Sequence, residues 1–125
     1  MNKNDTVLVV DDELSVRTVV RVQLQLAGYR VIEAATGDEA LAKLEEHEPC
    51  VVLLDLRMPG VDGWEVLEQL HESGRLERVP VLLFSAHASA EELERGIELG
   101  CSGLVKKPFR QADLLDAVGV AVTSG

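Results

Sequence analysis

Acidic, hydroxyl and basic side chains stand at the ends of four short apolar segments of this sequence. In chain order they are Asp11 and Asp12, then Asp55, then Ser85, and finally Lys107. Clustered carboxylates attract a divalent cation, and a carboxylate that faces such a cation can attack phosphorus to give an aspartyl phosphate. A hydroxyl and an ammonium group can then stabilise the oxygens of the transferred group. If the fold brings these residues together, the pattern favours metal-assisted phosphoryl transfer.

The acids themselves indicate which metal this would be. Three carboxylates within about 5 Å repel one another by roughly 3 kcal/mol per pair at an effective dielectric near 20. Such a cluster either raises a pKa or recruits a cation. Ligand sets made only of oxygen favour a hard cation such as Mg²⁺, for which Mn²⁺ can substitute. Because no His or Cys lies beside these acids in the sequence, zinc is disfavoured.

Each residue also has an ordinary structural interpretation. Asp11 and Asp12 can cap a helix, and Asp55 can form the turn that precedes Met58-Pro59-Gly60. Ser85 alone is consistent with a loop hydroxyl, and Lys107 alone with a solvated surface charge. The functional interpretation therefore depends on all of them meeting at one place.

Apolar, β-branched runs alternate along the chain with segments of helical spacing, which predicts five strand–helix units. Gly28 ends the first helix and Pro49 closes the second helical segment, whereas Ser89 and Glu92 form a capping-box pattern before the fourth. The predicted strands are 6–10, 30–34, 50–54, 81–84 and 103–106, and the predicted helices are 15–27, from 36 or 37 onward, 64–73, from 89 to 100, and from about 111.

The strands are continuously apolar rather than alternating, which is typical of a sheet covered on both faces. Right-handed crossovers then give a doubly wound α/β fold, a parallel sheet with helices on both sides. In such sheets ligands bind at the carboxyl ends of the strands. This is where the acids, the hydroxyl and the lysine all stand.

Composition limits the possible functions. The chain has 125 residues, 46% of them apolar, and a formal net charge of −10. We expect one domain over 1–125 with a core of about 5–122 and no output domain. The acidic balance argues against nucleic-acid binding. With no apolar run long enough for a membrane helix and no signal-peptide pattern, we expect a cytoplasmic location. Cys50 and Cys101 belong to no C-x-x-C pair and are expected to be free thiols.

The sequence resembles the receiver domain of two-component response regulators along nearly its whole length. The matching segments are Val10-Asp11-Asp12-Glu13, Leu54-Asp55-Leu56-Arg57-Met58-Pro59-Gly60-Val61-Asp62-Gly63, Phe84-Ser85-Ala86 and Lys107-Pro108-Phe109. The resemblance implies a flavodoxin-like, five-stranded parallel sheet of order 2-1-3-4-5. It also implies a signalling switch that is phosphorylated from a phosphohistidine on a sensor kinase or a histidine phosphotransfer protein.

The resemblance assigns roles to the acids. Asp55 would be the phosphoacceptor and a metal ligand. Asp12 would bind Mg²⁺ directly, and Asp11 directly or through water. The backbone carbonyl of Arg57 would be a further ligand.

It also assigns roles around the phosphoryl group. Ser85 would be the switch hydroxyl, the backbone of Ala86 would help to bind the phosphoryl group, and Lys107 would contact one of its oxygens. The peptide bond before Pro108 is expected to be cis.

Two positions depart from the usual family pattern. Leu104 stands where many receivers carry Tyr or Phe, so the aromatic switch of those proteins cannot operate in its usual form. Arg57 and His87 lie two residues beyond Asp55 and Ser85. Our hypothesis is that these two side chains tune the lifetime of the phosphoryl group, with His87 able to carry charge near pH 6.5.

Three other functions are weighed against this one. A phosphohydrolase of the haloacid dehalogenase type would need a second Asp where Arg57 stands, and a flavodoxin-like cofactor module would need a Gly-rich phosphate loop in place of Asp11-Asp12-Glu13. A receiver-like module that binds partners without phosphorylation remains the alternative. We expect no conventional enzyme and no membrane or direct nucleic-acid binding. The resemblance also allows a weak homodimer through the last two helices and the fifth strand.

Overall fold

The computed structural model describes residues 5–87 and 89–124. Strands and helices alternate along the chain, as the apolar pattern predicts. A short 3₁₀ helix (Arg75–Glu77) before the fourth strand was not predicted. The strands are β1 (Thr6–Val10), β2 (Arg30–Ala34), β3 (Val51–Asp55), β4 (Val81–Ser85) and β5 (Gly103–Lys106), and the helices are α1 (Leu14–Leu26), α2 (Gly37–Glu46), α3 (Gly63–Ser73), α4 (Ala90–Glu98) and α5 (Gln111–Ser124).

The five strands form one parallel sheet in the order β2-β1-β3-β4-β5, which confirms the predicted fold class and strand order. The strand order reverses at β1, so the carboxyl ends of β1 and β3 lie next to each other. In the register of the sheet, Val10 pairs with Leu54, Asp55 with Phe84, and Ser85 with Lys106. These neighbouring strand ends form the edge on which the predicted site residues stand.

Apolar side chains cover both faces of the sheet, as continuously apolar strands require. On one face Leu8, Leu54 and Leu83 pack with residues of α2 and α3. On the other face Leu53 and Phe84 pack with residues of α1 and α5. The strand residues just before Asp11, Asp55 and Ser85 are fully buried, which gives the site a rigid base.

Two strands extend further toward the site than the sequence predicts. Asp55 belongs to β3 because it pairs with Phe84 in the ladder, and Ser85 belongs to β4 because it pairs with Lys106. At its other end β3 starts at Val51 rather than Cys50. Asp55 and Ser85 are thus positioned by strand backbone.

Helix α4 approaches the sheet closely at Gly96, which is its buried residue. A Cβ there would lie 2.6 Å from Leu83 Cδ1 and 2.9 Å from Cys101 Sγ, so a larger residue would push the helix outward. Toward α3, the guanidinium of Arg95 lies over the ring of Trp64, 4.1 Å from its centroid. Among the described residues, no helix combines the length and apolar character needed to cross a bilayer.

Candidate phosphoryl-transfer site

Backbone hydrogen bonds fix the strand ends that carry the site. The Asp11 amide donates to Ala34 O at 3.1 Å, and the Lys107 amide donates to Ser85 O at 2.9 Å. Between them, the Leu56 amide donates to Phe84 O at 3.1 Å. Each functional residue therefore lies at, or one or two residues beyond, a strand that is held by its neighbour.

The structure brings the three predicted acids together. One carboxylate oxygen from each of Asp11, Asp12 and Asp55 lies within 4.8 Å of the others. Asp11 is fully buried and Asp55 is 5% exposed, whereas Asp12 is exposed. At this separation unit charges repel by roughly 3 kcal/mol per pair at an effective dielectric of 20. Because every donor is a carboxylate oxygen, the cluster fits a hard divalent cation rather than zinc.

Lys107 compensates part of this charge from the end of β5. Its Nζ lies 2.6 Å from Asp11 Oδ2 and 3.6 Å from Asp55 Oδ2. Burial acts to lower the pKa of Lys107, but its hydrogen bond to Asp11 and the attraction of the neighbouring acids outweigh burial, so that the pKa is raised. The lysine therefore stays charged beside Asp55. The Lys107–Pro108 peptide bond that follows is cis, as expected.

Asp55 has a strongly perturbed environment. Its Oδ1 accepts a hydrogen bond from the Arg57 amide at 3.1 Å. The pKa of Asp55 is raised to about 6, mainly by burial and further by repulsion from Asp11 and Asp12. The Arg57 N–H and the Lys107 ammonium group oppose this rise in pKa. Asp55 is thus ionised at neutral pH, although the metal-free site does not strongly favour its charge.

Ser85 is 1% exposed and its hydroxyl is held from two sides. Its Oγ accepts from the His87 amide at 3.0 Å and donates to Glu92 Oε1 at 2.8 Å. The other oxygen of Glu92 pairs with Arg57 Nη2 at 3.1 Å. The Ser85 hydroxyl and the Arg57 guanidinium are therefore both held by one carboxylate on α4.

The remaining predicted positions differ in exposure and in what they contact. The Ala86 and His87 residues are exposed in the turn after β4. The Arg57 side chain, 64% exposed, is directed toward Glu92, while its amide serves Asp55. Leu104 is partly buried on β5 opposite Leu83 and packs against the core.

Sequence reasoning missed two supporting residues. Glu92 was interpreted only as part of a capping box. Its amide does donate to the Ser89 cap oxygen Oγ at 3.1 Å, but its carboxylate is directed to Ser85 and Arg57. Arg17 braces the end of β1, since its Nη1 donates to Asp11 O at 2.7 Å and its Nε to Glu33 Oε1 at 3.0 Å. Local spacing carries no signal for contacts between residues so far apart in the chain.

Comparison with known proteins identifies the family. Residues 7–119 match the family described as "Response regulator receiver domain". The probable transcriptional regulator ycf27 of Porphyridium aerugineum is 36% identical over 90% of this chain and 45% of its own length. The alkaline phosphatase synthesis transcriptional regulatory protein PhoP of Bacillus subtilis is 39% identical over 85% of this chain and 43% of its own length. The chain thus spans less than half the length of these relatives.

Solved structures agree with this result. The chemotaxis protein CheY4 of Vibrio cholerae superposes with a TM-score of 0.88 at 34% identity, over 95% of this chain and 99% of that one. The receiver domain of the Francisella response regulator 1452 superposes with a TM-score of 0.89 at 27% identity, over 97% and 98%. With this fold and this sequence match, the chain belongs to the receiver domain family of two-component response regulators.

Proposed function

We propose that Asp55 accepts a phosphoryl group from a phosphohistidine of a partner kinase or phosphotransfer protein, and that the phosphorylated chain changes its partner binding. One observation carries this proposal. The nearly buried Asp55 carboxylate lies 3.6 Å from the Lys107 ammonium and within 4.8 Å of oxygens from Asp11 and Asp12. A nucleophile, a cation and a set of hard-metal ligands thus share one strand edge.

The acids and one backbone group would hold the metal. Asp12, Asp55 and the carbonyl of Arg57 would hold Mg²⁺ directly, and Asp11 would do so directly or through water, with Mn²⁺ able to replace it. When bound, the metal neutralises the clustered carboxylates and the negative charge of the incoming phosphoryl group. The all-oxygen character of the cluster supports this assignment.

The chemical step is an in-line displacement. An Asp55 carboxylate oxygen forms a bond to phosphorus while the bond from phosphorus to the donor imidazole nitrogen breaks. The electron pair of that broken bond stays on the imidazole. Lys107 then contacts one phosphoryl oxygen, and Ser85 and the Ala86 backbone contact another. Because Lys107 is already charged and 17% exposed, it needs only to shift from the carboxylates to the new oxygens.

A groove beside the site supports docking of a phosphohistidine protein. It is lined mainly by apolar atoms of α1 and of the segment after β5, namely Val16, Val19, Pro108 and Phe109, and reaches Ala86 and Lys107. Val19 is 50% exposed.

A Val19→Glu variant is expected to lose phosphotransfer from an autophosphorylated histidine kinase at least tenfold while still reacting normally with acetyl phosphate. Equal loss with both donors would contradict docking at this groove.

Arg57 and His87 are proposed to tune the lifetime of the phosphoryl group, because both flank the strand ends that bear Asp55 and Ser85. Dephosphorylation rates of Arg57→Ala and His87→Ala, each compared with wild type, test this. Unchanged rates in both variants would end the hypothesis.

The chain is proposed to act as one receiver module with its core over residues 5–122. It assists its own phosphorylation and dephosphorylation and does not turn over a separate substrate. The dehalogenase-type alternative lacks support, because Arg57 occupies the position of the required second acid.

The experiment that tests the proposed function is phosphorylation by a small donor. The protein is incubated with Mg²⁺ and acetyl phosphate, and its intact mass is recorded beside Asp55→Asn and a sample with chelator. Gain of one phosphoryl group in the wild type alone is the expected result. If no gain is seen, beryllofluoride binding tests whether hydrolysis hides the adduct. Failure of both would favour a phosphorylation-independent interaction module.

A further inference from the structure

The Glu92 carboxylate connects α4 to both sides of the phosphorylation site. Its Oε1 accepts the Ser85 hydroxyl at 2.8 Å, and its Oε2 pairs with Arg57 Nη2 at 3.1 Å. The Glu92 side chain is 14% exposed and Ser85 is 1% exposed, so water does not easily replace the hydroxyl. The Arg57 side chain is 64% exposed, so its pair with Glu92 is open to water. Its amide is separately held by the Ser89 cap, which leaves the carboxylate free to serve these two residues.

From this geometry we propose that Glu92 is a positioning residue that withholds the Ser85 hydroxyl and the Arg57 guanidinium from the site until a phosphoryl group competes for them. The inference rests on the proposed function. It adds one residue that determines how strongly the chain favours its unphosphorylated state.

The Ser85 hydroxyl has a single proton, which it donates to Glu92 Oε1. While that proton is donated to Glu92, it cannot be donated to a phosphoryl oxygen. The bond is charge-assisted, and such bonds are roughly twice as strong as neutral ones. Since the His87 amide already occupies an acceptor site of the same oxygen, the hydroxyl is held in one direction. Ser85 must therefore break a favourable bond before it can serve as the switch.

Arg57 likewise bonds to two parts of the protein, to Asp55 through its amide and to α4 through its guanidinium. Its amide donates to Asp55 Oδ1 at 3.1 Å, while its guanidinium pairs with Glu92. A phosphoryl group on Asp55 places new negative charge within reach of both Arg57 and Ser85. The same charge repels the Glu92 carboxylate, so that loss of its partners and repulsion act in the same direction.

Loss of the Glu92 contacts would affect the N-terminal turn of α4, whose other residues are exposed. Glu92 lies in the first turn of α4, and the buried residue of α4 is Gly96, one turn later. Release of Glu92 therefore frees the N-terminal turn of α4 while Gly96 stays packed on Leu83.

The test compares Glu92→Gln with Glu91→Gln. Both remove one negative charge from the same helical turn, but Glu91 is exposed. The measurements are beryllofluoride affinity with Mg²⁺ present, by calorimetry, and Mg²⁺ affinity alone. Glu92→Gln is expected to bind beryllofluoride about tenfold more tightly, the size typical of one hydrogen bond to a charged group. Its Mg²⁺ affinity should stay within twofold of wild type, which a general structural disturbance would not leave unchanged.

A second comparison tests whether Glu92 acts through its two partners. In a Ser85→Ala/Arg57→Ala background, Glu92→Gln should have no further effect on beryllofluoride affinity. An undiminished effect in that background, or an equal effect of Glu91→Gln in the wild-type background, would overturn the inference. Weaker binding by Glu92→Gln would do the same.

The outcomes separate this inference from the proposed function. If wild type and Glu92→Gln bind beryllofluoride equally well, the inference alone is wrong. If wild type neither binds beryllofluoride nor gains a phosphoryl group, the proposed function fails and the inference fails with it.

Discussion

Asp55 combines two properties that oppose each other. Burial and the neighbouring acids make its charge unfavourable in the metal-free protein, as its raised pKa of about 6 records. As the proposed nucleophile, Asp55 must nevertheless be ionised, so the proposed reaction requires that its charge be compensated. Lys107 supplies part of the compensation at 3.6 Å, and the proposed cation supplies the rest.

The raised pKa predicts that Asp55→Asn stabilises the metal-free protein at neutral pH. In wild type the folded state binds the Asp55 proton more tightly than the unfolded chain, so this stability is present at low pH and lost as pH rises through about 6. Relative to an unfolded pKa of about 3.9, the loss is about 3 kcal/mol. Denaturant unfolding in EDTA should show the variant more stable at pH 7.5, with roughly half that advantage at pH 5.0. An advantage independent of pH would contradict this.

Removing the Lys107 charge should have the opposite effect on stability. Lys107→Met leaves fully buried Asp11 without its ammonium partner at 2.6 Å. Breaking a buried pair from one side costs about 3 kcal/mol, and unfolding in EDTA measures this. Added Mg²⁺ should recover more stability in this variant than in wild type, because the cation replaces the missing charge.

Lys106→Met is the matched control, since Lys106 is the exposed last residue of β5, next to Lys107. It should change stability by less than about 0.5 kcal/mol, as for an ordinary surface position. Similar losses in both variants would argue against a special role for the Lys107 pair.

The start of α3 packs tightly against the end of β3. Gly63 is the first residue of α3. A Cβ at this position would collide with the carbonyl oxygen of Asp55 and lie 2.7 Å from the Cα of Leu56. Backbone cannot move aside as a flexible side chain can. The position of the acceptor therefore depends on the absence of a side chain eight residues later in the chain.

Gly63→Ala is expected to destabilise the protein by about 2 kcal/mol, in the range for overpacking, and to weaken Mg²⁺ binding by displacing Asp55. Thermal unfolding and calorimetry measure the two effects. Gly119→Ala is the control, because a Cβ there meets nothing within 4 Å. Gly119 lies in the interior of α5. This substitution should stabilise by roughly 0.5–1 kcal/mol and leave Mg²⁺ affinity unchanged. Tolerance of Gly63→Ala would show that the turn is less constrained than its contacts indicate.

Strand and helix positions were predictable because apolar runs and caps are local signals. β1 matches its predicted range, and the Ser89 cap of α4 is confirmed. The 3₁₀ helix at Arg75–Glu77 was missed because so short an element has no periodicity to detect. The Glu92 contacts were missed for another reason. Spacing from Ser89 favours a capping box, but the tertiary position of α4 gives the carboxylate two stronger partners.

The whole molecule carries a net charge of −10, and part of that charge is concentrated at one strand edge. Salt in general should stabilise such a chain by screening repulsion. At equal ionic strength, Mg²⁺ should raise the unfolding temperature above the value in NaCl, because binding to the folded state adds about 2.7 kcal/mol at a hundredfold excess over Kd. This excess should shrink at pH 5.0, where Asp55 is protonated.

Asp12→Asn should remove most of the Mg²⁺-specific excess. Asp12 is exposed, so this change is not expected to disturb the core. Glu45→Gln removes the same charge from an exposed position on α2 and should leave the excess intact. If both variants lose it equally, the cation acts through overall charge and not at the acid cluster.

Contacts between residues far apart in the chain were predictable from the order of the strands, because the fold class determines which strand ends lie together. Asp11 and Lys107 are 96 residues apart and form a hydrogen bond, since β1 and β5 end at the same edge of one parallel sheet. Which side chain hydrogen-bonds to which was not predictable. That choice depends on sub-ångström packing, such as the close approach of α4 at Gly96.

The contact between Arg95 and Trp64 gives the molecule an optical reporter. Trp64 is the one tryptophan of the sequence, it lies on α3, and the cation over its ring belongs to α4. Tryptophan emission is sensitive to a charge at that distance, so any rearrangement of α4 is expected to change the intrinsic fluorescence of the unlabelled protein. Stopped-flow mixing with a phosphodonor can then time the motion of α4 directly, without a dye or an engineered probe.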